Sequence, residues 1–116
     1  MPRIAIKRIY EPPSPADGRR ILVDRLWPRG VSKARAELDA WMKDVGPTTE
    51  LRRWFDHQPE RWSEFRRRYT DELKSNPAFS ALREMAAAGP VTLLYAARDA
   101  AHNEAVVLAE RLSVGD

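Results

Sequence analysis

Two short segments of this chain carry the side chains that bind anions and move protons. VDRLWPRG supplies Asp24, Arg25, Trp27, Arg29 and Gly30, and YAARDAAHN supplies Tyr95, Arg98, Asp99, His102 and Asn103. Planar guanidinium forks match carboxylate and phosphate oxygens, so Arg25, Arg29 and Arg98, together with a helix start at Asn103, would form an anion site. Trp27, in a loop flanked by Pro and Gly, would line a pocket there beside Tyr95. His102, beside Asp99, would transfer protons, with Asp99 or Asp24 as the carboxylate that fixes its tautomer. Such a constellation is compatible with hydrolysis or group transfer, and equally with binding alone. The same residues also admit a purely structural reading, in which Asp24 pairs with Arg98, or Asp99 with Arg25, and Asn103 is a helix cap.

These segments need strands behind them. In an open parallel sheet, ligands bind beyond the carboxyl ends of the strands. RIAIKRIY, with Ile4, Ile6 and Ile9, reads as one strand, and RRILVDRLW, with the apolar run Ile21, Leu22 and Val23, as a second. Between them EPPSPADG, residues 11–18, is a loop. Ser32 caps a short helical turn through Ala36. LDAWMKDV, residues 38–45, fits both helical spacing (Leu38, Trp41, Met42, Val45) and strand alternation (Leu38, Ala40, Met42), and we read it as strand. Thr48 opens a helix with Leu51, Trp54 and Phe55 inward, and Pro59 opens another with Trp62, Phe65, Tyr69 and Leu73 on one stripe. Asn76 and Pro77 start a third, with Phe79, Leu82, Met85 and Ala86 inward, which ends at Gly89 in an expected left-handed conformation. VTLLYAA then reads as a strand buried on both faces, and Asn103 starts a last helix with Ala105, Leu108, Ala109 and Leu112 inward. The expectation is an α/β fold: one layered domain over 1–116, with a small, partly parallel sheet of three to four strands and about four helices.

Composition narrows the chemistry. The 116 residues include no Cys and only two His, which removes thiol nucleophiles, persulfide carriers and Cys-ligated metals and leaves poor material for a transition-metal centre. No metal and no cofactor is expected. MPRIAIKRIY is interrupted by Arg3, Lys7 and Arg8 and has no signal-peptide apolar region, and no uncharged run approaches the ~18 residues of a membrane span. The expected location is cytoplasmic, without membrane attachment.

The net charge of +3 is concentrated in one place. Between Arg52 and Arg68 stand six arginines against Asp56, Glu60 and Glu64, leaving fourteen of each sign elsewhere. A nucleic-acid surface built on Arg53, Arg61, Arg67 and Arg68 is therefore the alternative function, since tryptophans beside arginines suit stacking and phosphate contact. Helical geometry weighs against it. Trp62 shares a face with Phe65 and Tyr69, and Glu64 with Arg68 and Arg67 with Asp71 fall at i,i+4, a pairing pattern and not a one-sided basic stripe. His57 reads as a helix-end residue.

The motifs DRLWPRG and LLYAARDAAHN, with the segment between them, resemble the YeaO-like branch of the family called domain of unknown function 488, over about residues 4–112. The resemblance implies a small bacterial-type α/β domain without an established reaction. Its pattern falls on Asp24, Arg25, Trp27, Pro28, Arg29 and Gly30, on Trp54, Phe55, Arg61, Trp62 and Tyr69, and on Tyr95, Ala96, Arg98, Asp99, His102 and Asn103. Comparable members carry Lys where Arg98 stands, which keeps the cation but not the fork. Longer relatives carry cysteines near the positions of Ala96 and Asn103, so a thiol-dependent activity does not transfer to this chain. Some YeaO-like sequences are labelled MarR-type regulators, yet no winged helix-turn-helix is readable here. The overall expectation is a domain that binds a small anion, such as a phosphate ester, nucleotide or carboxylate, at the strand carboxyl ends.

Overall fold

A computed structural model of the chain describes residues 3–114. Four strands lie in the order β1 (Ile4–Arg8), β4 (Val91–Tyr95), β2 (Arg19–Leu22) and β3 (Ala40–Trp41), and every neighbouring pair is parallel. The small α/β sheet expected from the sequence is thus present, and it is parallel throughout. The apolar run Val91–Tyr95 occupies an inner position and all five of its residues are buried, as a strand covered on both faces requires. Five helices accompany the sheet: α1 (Lys33–Ala36), α2 (Thr49–Phe55), α3 (Trp62–Lys74), α4 (Pro77–Ala88) and α5 (Glu104–Ser113). Among the described residues no helix is long and apolar enough to cross a membrane.

Local chemistry places the helix starts. Thr48 accepts from Leu51 N–H, Asn76 from Ala78 and Phe79 N–H, and Asn103 from Val106 N–H, each satisfying a donor that the first turn leaves free. Pro59 opens a 3-10 turn, Pro59–Arg61, that leads directly into α3. The expected stripes pack as read, with Leu51, Phe55, Phe65, Tyr69, Leu73, Phe79, Leu82 and Ala86 buried and Trp54, Trp62 and Met85 packed at their margins. On α5, Val107 is buried where Ala109 is only half-buried. Each fully buried aliphatic side chain contributes about 1.5–3 kcal/mol. Tyr69 is completely buried and its hydroxyl donates to Val45 O at 2.6 Å, which joins α3 to the turn after β3.

Two local expectations change. Residues 38–45 hold only a two-residue strand, Ala40–Trp41, and then a 3-10 turn at Lys43–Val45, so neither period runs through the segment. Gly89 is extended, at φ 166° and ψ −179°, because Pro90 follows it and pushes the preceding residue out of the helical regions.

The two sheet faces are covered unequally. Ile21, Val91, Leu93 and Tyr95 pack with α2 to α5 in the main core, while Leu22 and Leu94 join Ile9, Val31 and Ala36 in a smaller one, with Tyr10, Trp27, Leu38 and Ala96 packed at its margin. Beside that smaller cluster Arg20 is itself buried. Its guanidinium donates to Ala36 O and Glu37 O at the end of α1, where Glu37 is left-handed, and to Asp17 Oδ2 at 2.6 Å. Asp17 also accepts from Lys7 Nζ at 2.8 Å and from Ser14 N–H. Burial alone would raise the Asp17 carboxyl, but the hydrogen bonds from Lys7, Ser14 and Arg20 outweigh it and hold the group below the usual range.

Removing the partner of a buried charge is far more costly than removing an exposed one. Asp17→Ala is expected to cost about 3–5 kcal/mol in denaturant unfolding. Arg66→Ala, which breaks the half-exposed Arg66–Glu110 pair, is expected to cost under about 1 kcal/mol. Equal effects would show that the Arg20 network is not what anchors this face.

Gly18 and Gly30 give a second comparison. Both have positive φ, at 63° and 77°, but a Cβ on Gly18 would lie 2.4 Å from Pro90 O whereas one on Gly30 would meet nothing within 4 Å. Gly30→Ala is expected to cost about 1 kcal/mol from left-handed strain alone. Gly18→Ala should cost clearly more, because backbone must move, and matching melting temperatures for the two variants would contradict this account.

Candidate functional site

The segments that follow β2 and β4 meet. Asp24 Oδ2 accepts from Ala96 N–H at 2.9 Å, so the residue just past one strand end is bonded to the residue just past the other. Around this link lies a cleft of about 600 Å³, walled by Asp24, Arg25, Trp27 and Arg29 from the first segment and by Ala96, Ala97, His102, Asn103 and Glu104 from the second. The N-terminal helix of the middle region completes it: Arg52, Arg53 and Phe55 of α2, then Asp56 and His57. Asp56 and His57 are both left-handed, at φ 47° and 53°, an unfavourable conformation for non-glycine residues that turns the chain sharply between α2 and Pro59.

Several expected ligand groups are engaged with the protein itself. Arg25 donates to Pro47 O at 2.6 Å and Gly46 O at 3.1 Å, so its fork clamps the turn before α2. Trp27 donates from its indole to Val31 O at 2.7 Å and meets Trp41 edge-on at 5.3 Å. Tyr95 is buried in the main core and lies outside the cleft lining, and burial raises its phenol. Arg98 is exposed and lines a shallower neighbouring depression with Arg8, Tyr10, His57 and Asp99. Neither of the anticipated structural pairs, Asp24 with Arg98 or Asp99 with Arg25, forms.

The dyad does form. His102 Nδ1 lies 2.8 Å from Asp99 Oδ2, while Asp99 Oδ1 accepts from the Ala101 and His102 backbone N–H groups. The bond with His102, together with these backbone donors, lowers the Asp99 carboxyl below its ordinary value. Asn103 donates to Asp99 O at 2.9 Å while capping α5, and the His102 ring meets Trp62 edge-on at 5.2 Å. With Nδ1 engaged, Nε2 has no hydrogen-bond partner among the described residues. Glu104, in the first turn of α5, places a carboxylate where the helix start was expected to receive an anion.

Of the expected cations only Arg29 lies in the cleft without a partner, and two more come from α2. Among the described residues the side chains of Arg29, Arg52 and Arg53 make no hydrogen bond or ion pair, and all three line the cleft. Arg52 was legible only as part of the local charge excess, because nothing in the helix pattern says which way it turns. The remaining arginines of that segment are taken up on the helix surface. Arg67 and Arg68 hold Glu64, pulling its carboxyl down to about 2, and Arg67 also reaches Asp71. Arg66 pairs with Glu110, and Arg61 and Arg68 lie against the Trp54 ring. Of the nucleic-acid set, Arg53 alone lacks a partner.

Asp24 is the polar group whose environment opposes its charge. Burial pushes its carboxyl up to about 6, against the lowering effects of the Ala96 N–H bond and the Arg52 charge. Between about pH 4 and pH 6 the folded protein therefore holds a proton that the unfolded chain has released, and this group's contribution to stability falls as pH rises through that window. Asp24→Asn keeps an acceptor for Ala96 N–H. It is expected to raise stability at pH 7 by at most about 3 kcal/mol and to flatten the decline in Tm between pH 4 and pH 6. A variant less stable than the parent at pH 7 would show that the ionised carboxylate contributes more through Arg52 than its burial costs.

The chain is 44% identical over 111 residues to the uncharacterised protein Rv3073c of Mycobacterium tuberculosis, covering 96% of this chain and 94% of that protein. It is 44% identical over 110 residues to the uncharacterised protein YeaO of Escherichia coli, covering 94% and 96%. No solved structure matches it. The family described as the inactive DUF488-N3 subclade matches residues 3–114. This match over every described residue, with the identity to YeaO over nearly the full length of both chains, places the protein in the YeaO-like branch of DUF488, within the subclade described as inactive.

Proposed function

We propose that this protein binds a small anion, a phosphate ester, nucleotide or carboxylate, in the cleft beyond the carboxyl ends of β2 and β4. The observation that carries the reading is the set of three guanidiniums, Arg29, Arg52 and Arg53, that line one concavity and have no partner among the described residues. Elsewhere, most of the arginines beside this region are paired or bonded: Arg8 to Ala96 O and Ala97 O, Arg25 to Pro47 O, Arg66, Arg67 and Arg68 to carboxylates. Unpaired forks in a concave site are what carboxylate and phosphate oxygens require. The volume lies within the ~300–1,000 Å³ range of small-molecule sites.

The Asp99–His102 dyad supplies the components of acid–base chemistry, and Asp24 supplies a second titratable group in the same cleft. The family's description as inactive favours binding without turnover, so the dyad is assigned to holding the loop that closes the cleft. The nucleic-acid reading keeps only Arg53 free, and Arg53 lines the cleft.

Calorimetric titration at pH 7.5 with inorganic phosphate, ribose 5-phosphate, mononucleotides and citrate tests the proposal. Saturable binding of at least one is expected. Arg52→Ala should weaken it about ten- to hundredfold, as the loss of a charge-assisted bond worth about 1.5–3 kcal/mol implies, and Arg67→Ala should leave it unchanged. No binding of any of these anions, or equal losses in the two variants, would overturn it.

A further inference from the structure

We infer that the anion taken by this cleft is a nucleotide, recognised through its flat base and a hydrogen-bond donor as well as through its phosphate. The inference rests on the anion-cleft reading above and deepens it. Beside the unpartnered arginines, the cleft is lined by two half-buried aromatic side chains, Tyr10 and Trp27. The polar atom of each is already used. The Tyr10 hydroxyl donates to Arg29 O at 2.9 Å, and the Trp27 indole donates to Val31 O at 2.7 Å.

What these residues still offer a ligand is therefore flat carbon surface, and both rings are held in place. Arg8 lies 4.7 Å over the Tyr10 ring, and Trp41 braces Trp27 at 5.3 Å. Fixed rings lose little freedom when a base stacks on them, and stacking tolerates any base because each has a π-face. The Tyr10–Arg29 bond also binds an aromatic surface to an arginine-bearing segment, so the stacking and charge-binding groups belong to one rigid rim.

The third feature is an acceptor. Asp24 gives Oδ2 to Ala96 N–H, while Oδ1 has no partner among the described residues, and the side chain lines the cleft. A free carboxylate oxygen repels a bare phosphate and suits a ligand that carries an N–H or O–H at a distance from its anionic end. A nucleotide has all three elements: phosphate for the guanidiniums, a base for the rings, and ribose hydroxyls or base amino groups for Asp24. Inorganic phosphate lacks two of them, and an aryl phosphate such as a phosphotyrosine side chain lacks the donor.

The test is a titration of the wild-type protein at pH 7.5 with AMP, GMP, CMP and UMP against ribose 5-phosphate and phenyl phosphate, repeated with Asp24→Asn. At least one nucleotide is expected to bind tenfold or more tighter than either simpler ester, a difference of about 1.4 kcal/mol. AMP should shift the Trp27 indole N–H resonance, and Asp24→Asn should weaken nucleotide binding while phenyl phosphate, relieved of the carboxylate's repulsion, binds more tightly; weakening of both alike would overturn the role given to Asp24. Ribose 5-phosphate binding as tightly as every nucleotide would overturn the inference and leave the anion cleft standing. Phenyl phosphate matching the nucleotides would overturn it in favour of an aryl phosphate site. No binding by any ester would overturn both the inference and the reading beneath it.

Discussion

A parallel sheet has to be covered on both faces, and this chain has long helices for only one of them. Four of its helices gather over Ile21, Val91, Leu93 and Tyr95. The opposite face receives one helical turn, α1, loop side chains such as Ile9, Trp27 and Val31, and the buried Arg20 side chain that holds that turn in place. Arg20 donates to both carbonyls at the end of that turn and to Asp17, so a charged group fills a place where larger folds put an apolar helix. Buried charge is tolerated only when every donor is satisfied, and no buried side-chain nitrogen or oxygen lacks a partner among the described residues. Thr92, buried on the inner strand, is satisfied the same way, by donating to Asp17 O at 2.7 Å.

The cleft inherits its rigidity from that sheet. β4 is paired on both sides and carries its following loop outward, where Arg8 binds Ala96 O and Ala97 O and Asp24 binds Ala96 N–H. The backbone on both sides of Ala96 is thus gripped, from β1 and from the segment after β2. Arg25 does the equivalent for the turn before α2, and Gly46 sits close beneath it, with a Cβ there predicted only 3.2 Å from the Arg25 side chain. Positioning uses the polar groups nearest the strand ends, while the guanidiniums without partners among the described cleft residues come from the next layer out, on α2 and the Trp27–Gly30 loop.

That division explains what was readable in the chain and what was not. Thr48, Asn76 and Asn103 act on backbone donors two or three residues away, so their roles follow from local spacing. The Asp99–His102 contact is equally local. Arg25 reaches carbonyls more than twenty residues away, and Arg8 reaches carbonyls almost ninety residues away, and no periodicity encodes such partners. Hence Arg25 and Arg98 read as ligand groups beside Arg29, when only Arg29 lies in the cleft without a partner. Residues 38–45 resisted reading because tertiary contacts divide them: Ala40 and Trp41 complete the sheet edge, while Val45 is buried under Tyr69. Gly89 was misread by weighing glycine's freedom above the constraint that Pro90 imposes on it.

The concentration of arginines between Arg52 and Arg68 was visible at once, but its meaning lay in how two helices divide it. On α3, Arg66, Arg67 and Arg68 are matched by Glu110, Glu64 and Asp71, and Arg61 and Arg68 rest on Trp54. Exposed pairs of this kind contribute only tenths of a kcal/mol each, yet they cancel the charge that a nucleic-acid backbone would need. Arg61 is held by Trp54 O without a carboxylate, and the arginines of the segment left with neither hydrogen bond nor ion pair among the described residues are the two on α2, which line the cleft together with Arg29. Of these three, Arg52 is half-buried and Arg29 and Arg53 are exposed at the rim, and Asp24, Asp56 and Glu104 line the same concavity.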